Sequence, residues 1–471
     1  MSGSSSPPRR PTAREGRHES ARQASSLASP DLTHARLTER ISNLVLRDPS
    51  PRSWFVALLV CGLVALMFFG ALGYIFEVGV GLFGINIPVA WGFPITNTIW
   101  WIGIAHAGTL ISAVLLLTRQ PWRASINRFA EAMAMFAVVL AGAYPIIHLG
   151  RPWFFYYLLP YPNDMELWPQ WRSPLVWDFF AIFTYLTFTA TFMYLSLLPD
   201  LATLRDRASS WFGRVFYGTL AIGWRGSATH WARYEKANMI LSSVAAPIVV
   251  AVTGIISLDL AISIVPGYHF TIFPPYFVAG ALFSGFSTVA LLAVVLRSMF
   301  GLQDLVTRTH LDYLGRMMLL FALVVDYAYT QEIFFAWYSG EDYYRYVYID
   351  RWTGPYAPVW WSMIFCNVVL VQLLWFKRVR RSPIAMLCLA ITSDIGMWLE
   401  RFQIVFTSTH ADYMPSAWGE AWPTVWDWAV FIGSLGVFGV LLLLFVRIMP
   451  LISLHDMRGL IAKRNKGGDD G

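Results

Sequence analysis

Long apolar runs, broken by short polar segments, dominate this chain. Ten of them are long enough to cross a hydrocarbon core of ~30 Å as a helix, which takes ~20 residues. They cover 54–77, 95–117, 128–149, 175–198, 238–265, 275–297, 313–338, 358–376, 383–407 and 425–448, and are called spans 1–10 below. The expected fold class is therefore an all-α integral membrane protein with ten transmembrane helices.

The polar segments set the orientation. Arg40, Arg47 and Arg52 precede span 1, and the next loop, "GVGLFGINIPVAWGFP", has no charge. "TRQPWRASINR" then carries three arginines, and the loop after it sets Asp164 and Glu166 against Arg151 and Arg172. Residues 199–237 carry Arg205, Arg207, Arg214, Arg225, Arg233 and Lys236, and "KRVRRS" and "AKRNKGG" are basic again. Lys and Arg concentrate in cytoplasmic loops, so this unbroken alternation places both termini in the cytoplasm. The Ser-, Pro- and Arg-rich start has no apolar core of a cleavable signal peptide. Residues 1–50 are expected to form a disordered cytoplasmic tail, and 451–471 a second cytoplasmic tail.

The spans repeat. "PLVWD" (174–178) opens span 4 and "PVWWS" (358–362) opens span 8, an offset of 184 residues that also aligns span 3 with span 7. It matches Met133 with Met317, Trp153 with Trp337, and His148 with Glu332. "FP" at 93–94 and 273–274 precedes spans 2 and 6. Two tandem four-helix bundles follow, 91–266 and 267–408. The first transmembrane helix with its outer loop (51–90) and the last one (409–450) are additions. Both copies begin on the outside, so the duplication is parallel.

Composition narrows the class. Only 14% of the 471 residues are charged, against ~25% in soluble proteins. The 22 Trp and 21 Tyr suit interfacial belts. The net charge of +6 lies in the loops, which argues for lipid and against nucleic acid as a partner. Cys61, Cys366 and Cys388 are scattered, so neither an iron–sulfur cluster nor a disulfide framework is expected within the chain. Only His106 and His148 lie within the expected spans, at different depths, so no haem is expected either, and no metal site.

Charges inside spans are costly and mark function by default. His148 closes span 3, Asp178 lies about one turn into span 4, Asp259 about two turns from the end of span 5, and Glu400 and Arg401 in the outer third of span 9. An imidazole, two carboxylates and a guanidinium thus fall in one outer slab, with Tyr144, Arg151 and Trp153 beside them. A His beside a carboxylate can take one proton from a phenolic hydroxyl while the second group takes another, which is what quinol oxidation requires. The plain alternatives are side chains reaching for headgroups and ion pairs that hold helices together. Asp326, Glu332, Asp394 and His106 lie deeper and, with Glu400, would suit a proton path or a set of local pairs. Asp394 and Arg401, seven apart, share a helix face. A secondary transporter or ion channel and a purely structural anchor for a peripheral oxidoreductase are the rival functions.

"AYPIIHLGRPW", "SPLVWDFF", the tandem four-helix units and the missing haem ligands resemble the NrfD/polysulfide-reductase C membrane subunits. With ten spans, the chain looks most similar to the C subunit of bacterial alternative complex III. The resemblance implies a quinol-oxidising subunit of the bacterial inner membrane, with menaquinol or ubiquinol as substrate and His148, Asp178 and Asp259 as the site. Arg401 would come from the second unit. It implies as partners a periplasmic iron–sulfur subunit related to molybdopterin oxidoreductases, c-type cytochromes and a paralogous ten-helix subunit. It also implies coupling to proton translocation.

Overall fold

A computed structural model describes residues 25–29, 31–159 and 171–466. Asp164, Glu166 and the first 24 residues of the expected tail lie outside the described residues. Among the described residues there is no strand. Ten of the described helices are long and apolar enough to cross a membrane: Arg52–Val78, Gly92–Leu117, Arg123–His148, Val176–Arg207, Ala228–Ala261, Phe273–Met299, Arg308–Tyr338, Ala357–Trp375, Pro383–Thr407 and Val425–Ile448. Each coincides with one expected span. The largest differences lie at the ends assigned to the cytoplasm, where spans 3, 4, 5 and 7 continue as helix beyond their apolar stretch. Hydropathy marks where lipid ends, whereas a helix continues wherever its backbone hydrogen bonds can still close. Arg123 and His310, loop residues by hydropathy, are therefore helical.

Spans 2–5 pack on one another, as do spans 6–9, and the two bundles meet where span 6 crosses spans 2 and 5. Lipid tails are as apolar as leucine, so close backbone approach has to supply much of the attraction between helices. Gly285 of span 6 lies against Ala107 of span 2 so closely that a side chain there would overlap the alanine. Spans 1 and 10 pack together outside the bundles, with span 10 also touching span 3. Span 1 buries a single stripe and turns Phe55, Leu59, Leu63 and Leu66 outwards, whereas span 2 is buried almost all round.

The expected disordered tail needs correcting in its second half. His34–Leu46 is an α-helix capped by Thr33, and it buries Leu37, Ile41 and Leu44. Its apolar residues recur at helical spacing, so it can bury a face once docked, which the polar composition of the whole tail obscures. The helix Leu454–Lys466 packs against it, with Arg458 donating to Thr38 Oγ1 (2.7 Å) and Arg464 to the Ser29 carbonyl (2.6 Å). Both described termini thus sit together, at the end that carries the basic loops.

Spans 8 and 9 differ from their first-unit counterparts by π-turns at Phe365–Val369 and Gln403–Thr407. Such bulges re-aim side chains. Here one brings Asn367 against Gly396 and directs its amide to the Tyr329 hydroxyl (3.0 Å).

Candidate functional site

Three helix ends meet at the outer face of the first bundle. Span 3 closes at His148, Asp178 lies one turn into the helix Pro174–Arg207, and Asp259 lies just before the end of span 5. Antiparallel packing puts them at one level, and all three line a single cavity of about 570 Å³ among spans 2, 3, 4 and 5. That volume suits one small organic ligand. Asp178 and Asp259 are neighbours in this lining, close enough for their carboxyl groups to interact.

Three polar atoms at this level, His148 Nδ1, Asp178 Oδ1 and Asp259 Oδ1, are buried with no hydrogen-bond partner among the described residues. Buried unpaired groups are costly, and in native proteins each calls for an explanation, such as a ligand. The rest of the wall is apolar: Ile99, Ile102, Val138, Ile182 and Leu186 suit a ring and the start of a hydrocarbon tail. Gly142 and Ala143 keep the span 3 side open. A Cβ on Gly142 would already stand 3.4 Å from Ile182. Val139, Leu149, Phe155 and Phe183 line the cavity and are exposed, so its mouth opens sideways towards lipid.

The other expected site residues are not brought here. Tyr144 is fully buried but turns to span 10, where its hydroxyl donates to Ser434 Oγ (3.0 Å) and the Val430 carbonyl (3.3 Å). Arg151 and Trp153 are exposed beyond the helix end, and Phe155 of the same aromatic run lines the cavity instead. Arg401 belongs wholly to the second bundle, paired with Glu400 (2.6 Å) and stacked 4.4 Å from the Phe277 ring centre. The shared face of Asp394 and Arg401 does not become a pair, because the adjacent Glu400 reaches Arg401 first.

The deeper set also divides. Glu400 accepts from the Tyr329 hydroxyl, which lies between Asp326 and Glu332 along span 7. Glu332 accepts from Tyr348 (2.9 Å) and pairs with Arg351 (3.2 Å), both on the outer helix Asp342–Thr353. Burial holds the Tyr348 phenol well above the usual tyrosine range, so it acts as a donor. The repeat position of His148 is thus covered by the helix Asp342–Thr353 in the second unit. Asp394 instead accepts from Thr288 of span 6 (3.2 Å). His106 lies in the first bundle one turn beneath Ile102, with Nδ1 bonded to Thr253 Oγ1 (2.8 Å) and Nε2 unpartnered.

Sequence reasoning passed over a set of deeply buried charges at the other end of the first bundle. Arg128 pairs with Asp200 (2.7 Å) and bonds Ser196 Oγ (2.6 Å), and Glu131 accepts from Asn127 (2.7 Å). Arg128, Glu131 and Asp200 are each 1% exposed. Arg128 and Glu131 three apart inside one helix were the available signal. Among the described residues no three His, Cys, Asp or Glu side chains gather to hold a metal.

The family model described as Polysulphide reductase, NrfD matches residues 81–411, which is spans 2–9 and both bundles. The chain belongs to the NrfD family. Spans 1 and 10 fall outside the matched region. Two relatives of this NrfD-family protein carry descriptions. A Halobacterium salinarum protein described as a membrane subunit of dimethyl sulfoxide reductase is 22% identical, over 85% of this chain and 91% of the relative. A selenate reductase subunit of Mesobacillus selenatarsenatis is 21% identical, over 79% of this chain and 89% of the relative. The ten apolar helices and the family together make it a multi-pass membrane protein.

Proposed function

We propose that this chain is the quinone-reactive membrane subunit of a quinol:acceptor oxidoreductase of the bacterial inner membrane. It takes a quinol, menaquinol or ubiquinol, at the outer end of its first bundle. Two electrons pass to an iron–sulfur, molybdopterin-oxidoreductase-like subunit docked on that face, and the chain itself binds no redox cofactor. The observation that carries this reading is the convergence of the unpaired His148, Asp178 and Asp259 atoms in one apolar cavity open to lipid. A quinol fits both halves of it, hydroxyls on the polar atoms and ring and tail on the apolar wall. One hydroxyl gives its proton to the neutral His148 imidazole. The other gives its proton to a carboxylate of the Asp178–Asp259 pair. Quinone leaves sideways, and the protons leave at the outer face.

Both described relatives are reductase subunits matched over most of their own length, so the length of this chain does not by itself single out alternative complex III. That finer reading adds c-type cytochromes and a paralogous ten-helix subunit as partners. A complex purified through this chain is expected to oxidise quinol with an artificial electron acceptor. Covalently bound haem in it would favour alternative complex III, whereas molybdenum without haem would favour a reductase. A preparation with neither quinol oxidation nor quinone reduction would overturn the function.

We extend the proposal to a proton path along span 7. Asp326, Glu400 and Glu332 flank Tyr329 there, with Asp394 and His106 as entry points. Asp326→Asn is expected to lower proton transfer per electron while the quinol KM stays within about twofold. A raised KM at normal stoichiometry would move Asp326 into the quinol site instead.

A further inference from the structure

A second built feature lies at the opposite end of the first bundle, where spans 3, 4 and 5 meet the C-terminal helix Leu454–Lys466. Two clefts adjoin there, and His455 and Arg458 stand in the wall between them. One, of about 240 Å³, is lined by Arg205, Trp224, Arg225 and Trp231, and the other, of about 650 Å³, by Arg119, Arg123 and Lys463. Three of their four acidic members are engaged, Asp200 with Arg128, Asp206 with Arg205 (2.8 Å) and Asp456 with Arg123 (2.5 Å), and Glu235 of the second cleft is exposed and outside any ion pair among the described residues. Among the described residues no carboxylate pairs with Arg119, Arg225, Arg458 or Lys463, and Arg119, Arg225 and Lys463 are exposed. The clefts therefore present unpaired positive charge around a ridge in which His455 stacks on Trp231, ring centres 4.6 Å apart.

What surrounds this end identifies the occupant. Between spans 4 and 5 the helix Trp211–Leu220 turns Trp211 and Phe212 outwards, 74% and 71% exposed, with Ile222 beyond it at 72%. Arg207, Arg214, Arg233 and Lys236 lie along the same connection. A short helix with bare aromatics on one side and cations around it lies in a membrane interface rather than in water. From the mouth of the second cleft Met239, 43% exposed, leads to Ile240 on the lipid-facing side of span 5. Cationic clefts, an interfacial helix and an apolar track to the bilayer combine in one place.

We propose that these clefts bind an acidic phospholipid of the cytoplasmic leaflet. Its phosphate sits on Arg225, Arg458 and His455, and its acyl chains run past Met239 along span 5. Each arginine at such a surface strengthens the hold on an anionic lipid about fivefold. The site is independent of the quinol reading, since it lies at the other end of the bundle and shares no residue with that cavity.

Native mass spectrometry of the detergent-solubilised protein, titrated with phosphatidylglycerol, phosphatidylcholine or inorganic phosphate, tests the idea. Phosphatidylglycerol is expected to bind at least tenfold more tightly than phosphatidylcholine, and inorganic phosphate not to displace it at equal concentration. Arg225→Ala is expected to weaken phosphatidylglycerol about fivefold, and Arg214→Ala, away from both clefts, less than twofold. Equal affinity for the two lipids would overturn the proposal. So would equal losses in the two variants, which would mean diffuse attraction to a basic surface. Displacement by inorganic phosphate would identify a free-anion site and overturn it too. Arg225 is exposed and bonds through its backbone to His230, so the variant leaves the fold intact.

Discussion

Asp178→Asn is expected to lower quinol oxidation by about a hundredfold to ten-thousandfold, the usual worth of a positioned proton acceptor. The complex should assemble in normal amount. Asparagine keeps the shape of the side chain and can still hydrogen-bond Asp259, so packing changes little. What it removes is a carboxylate that can accept a quinol proton. His148→Gln should have an effect of the same order, because an amide replaces the imidazole that takes the other hydroxyl proton. The measurement is steady-state turnover of the purified complex with a soluble quinol, beside a gel of its polypeptides. Trp153→Ala is the control, since that ring stands outside the cavity and more than half exposed. Turnover within a few-fold of normal in both site variants would remove the cavity from the reaction. A loss of partner polypeptides in either would mean that the residue holds the complex together.

Membrane chemistry explains which parts of this structure were legible in the sequence. The ten spans could be read because lipid imposes one rule on every one of them, a long apolar helix. His148, Asp178 and Asp259 could be placed together because span direction fixes depth, and an ionisable group at a known depth has few neighbours to choose from. Tyr144, Arg151, Trp153 and Arg401 share that depth but face elsewhere. Depth alone does not give rotation about the helix axis, which depends on packing such as that of Tyr144 against span 10. The docked helix His34–Leu46 was hidden by the composition of the tail around it. Arg128 was hidden because an arginine beside an apolar run looks like a loop cation, and its partner Asp200 lies 72 residues away. The 184-residue repeat offset carries Arg128 to Asp312 and Ser196 to Arg380, and these bond as well, at 2.7 Å, with the arginine now on the other helix. The two bundles thus keep a tie between the same two helix positions while moving its arginine to the other helix.

That tie sets up the second large effect. Arg128→Met is expected to destabilise the protein by about 3–5 kcal/mol, the cost of removing one partner from a buried ion pair. The guanidinium bonds Asp200, Ser196 and Glu131, and without it two carboxylates share a site almost closed to solvent. Asp200 Oδ1 also accepts the backbone N–H of Leu454 (3.3 Å), so the loss should loosen the C-terminal helix as well. Arg380→Met should cost clearly less, because Asp312 keeps a second arginine, Arg316, at 2.7 Å from the half-exposed side. Thermal unfolding of the two variants in detergent, followed by tryptophan fluorescence, separates them. Adding Glu131→Gln and Asp200→Asn to Arg128→Met should recover a large part of the loss, because contacting residues are not additive. If Arg128→Met and Arg380→Met melt alike, or the added amides recover nothing, then charge pairing is not what holds this end of the bundle and the arginine acts through its packed stem alone.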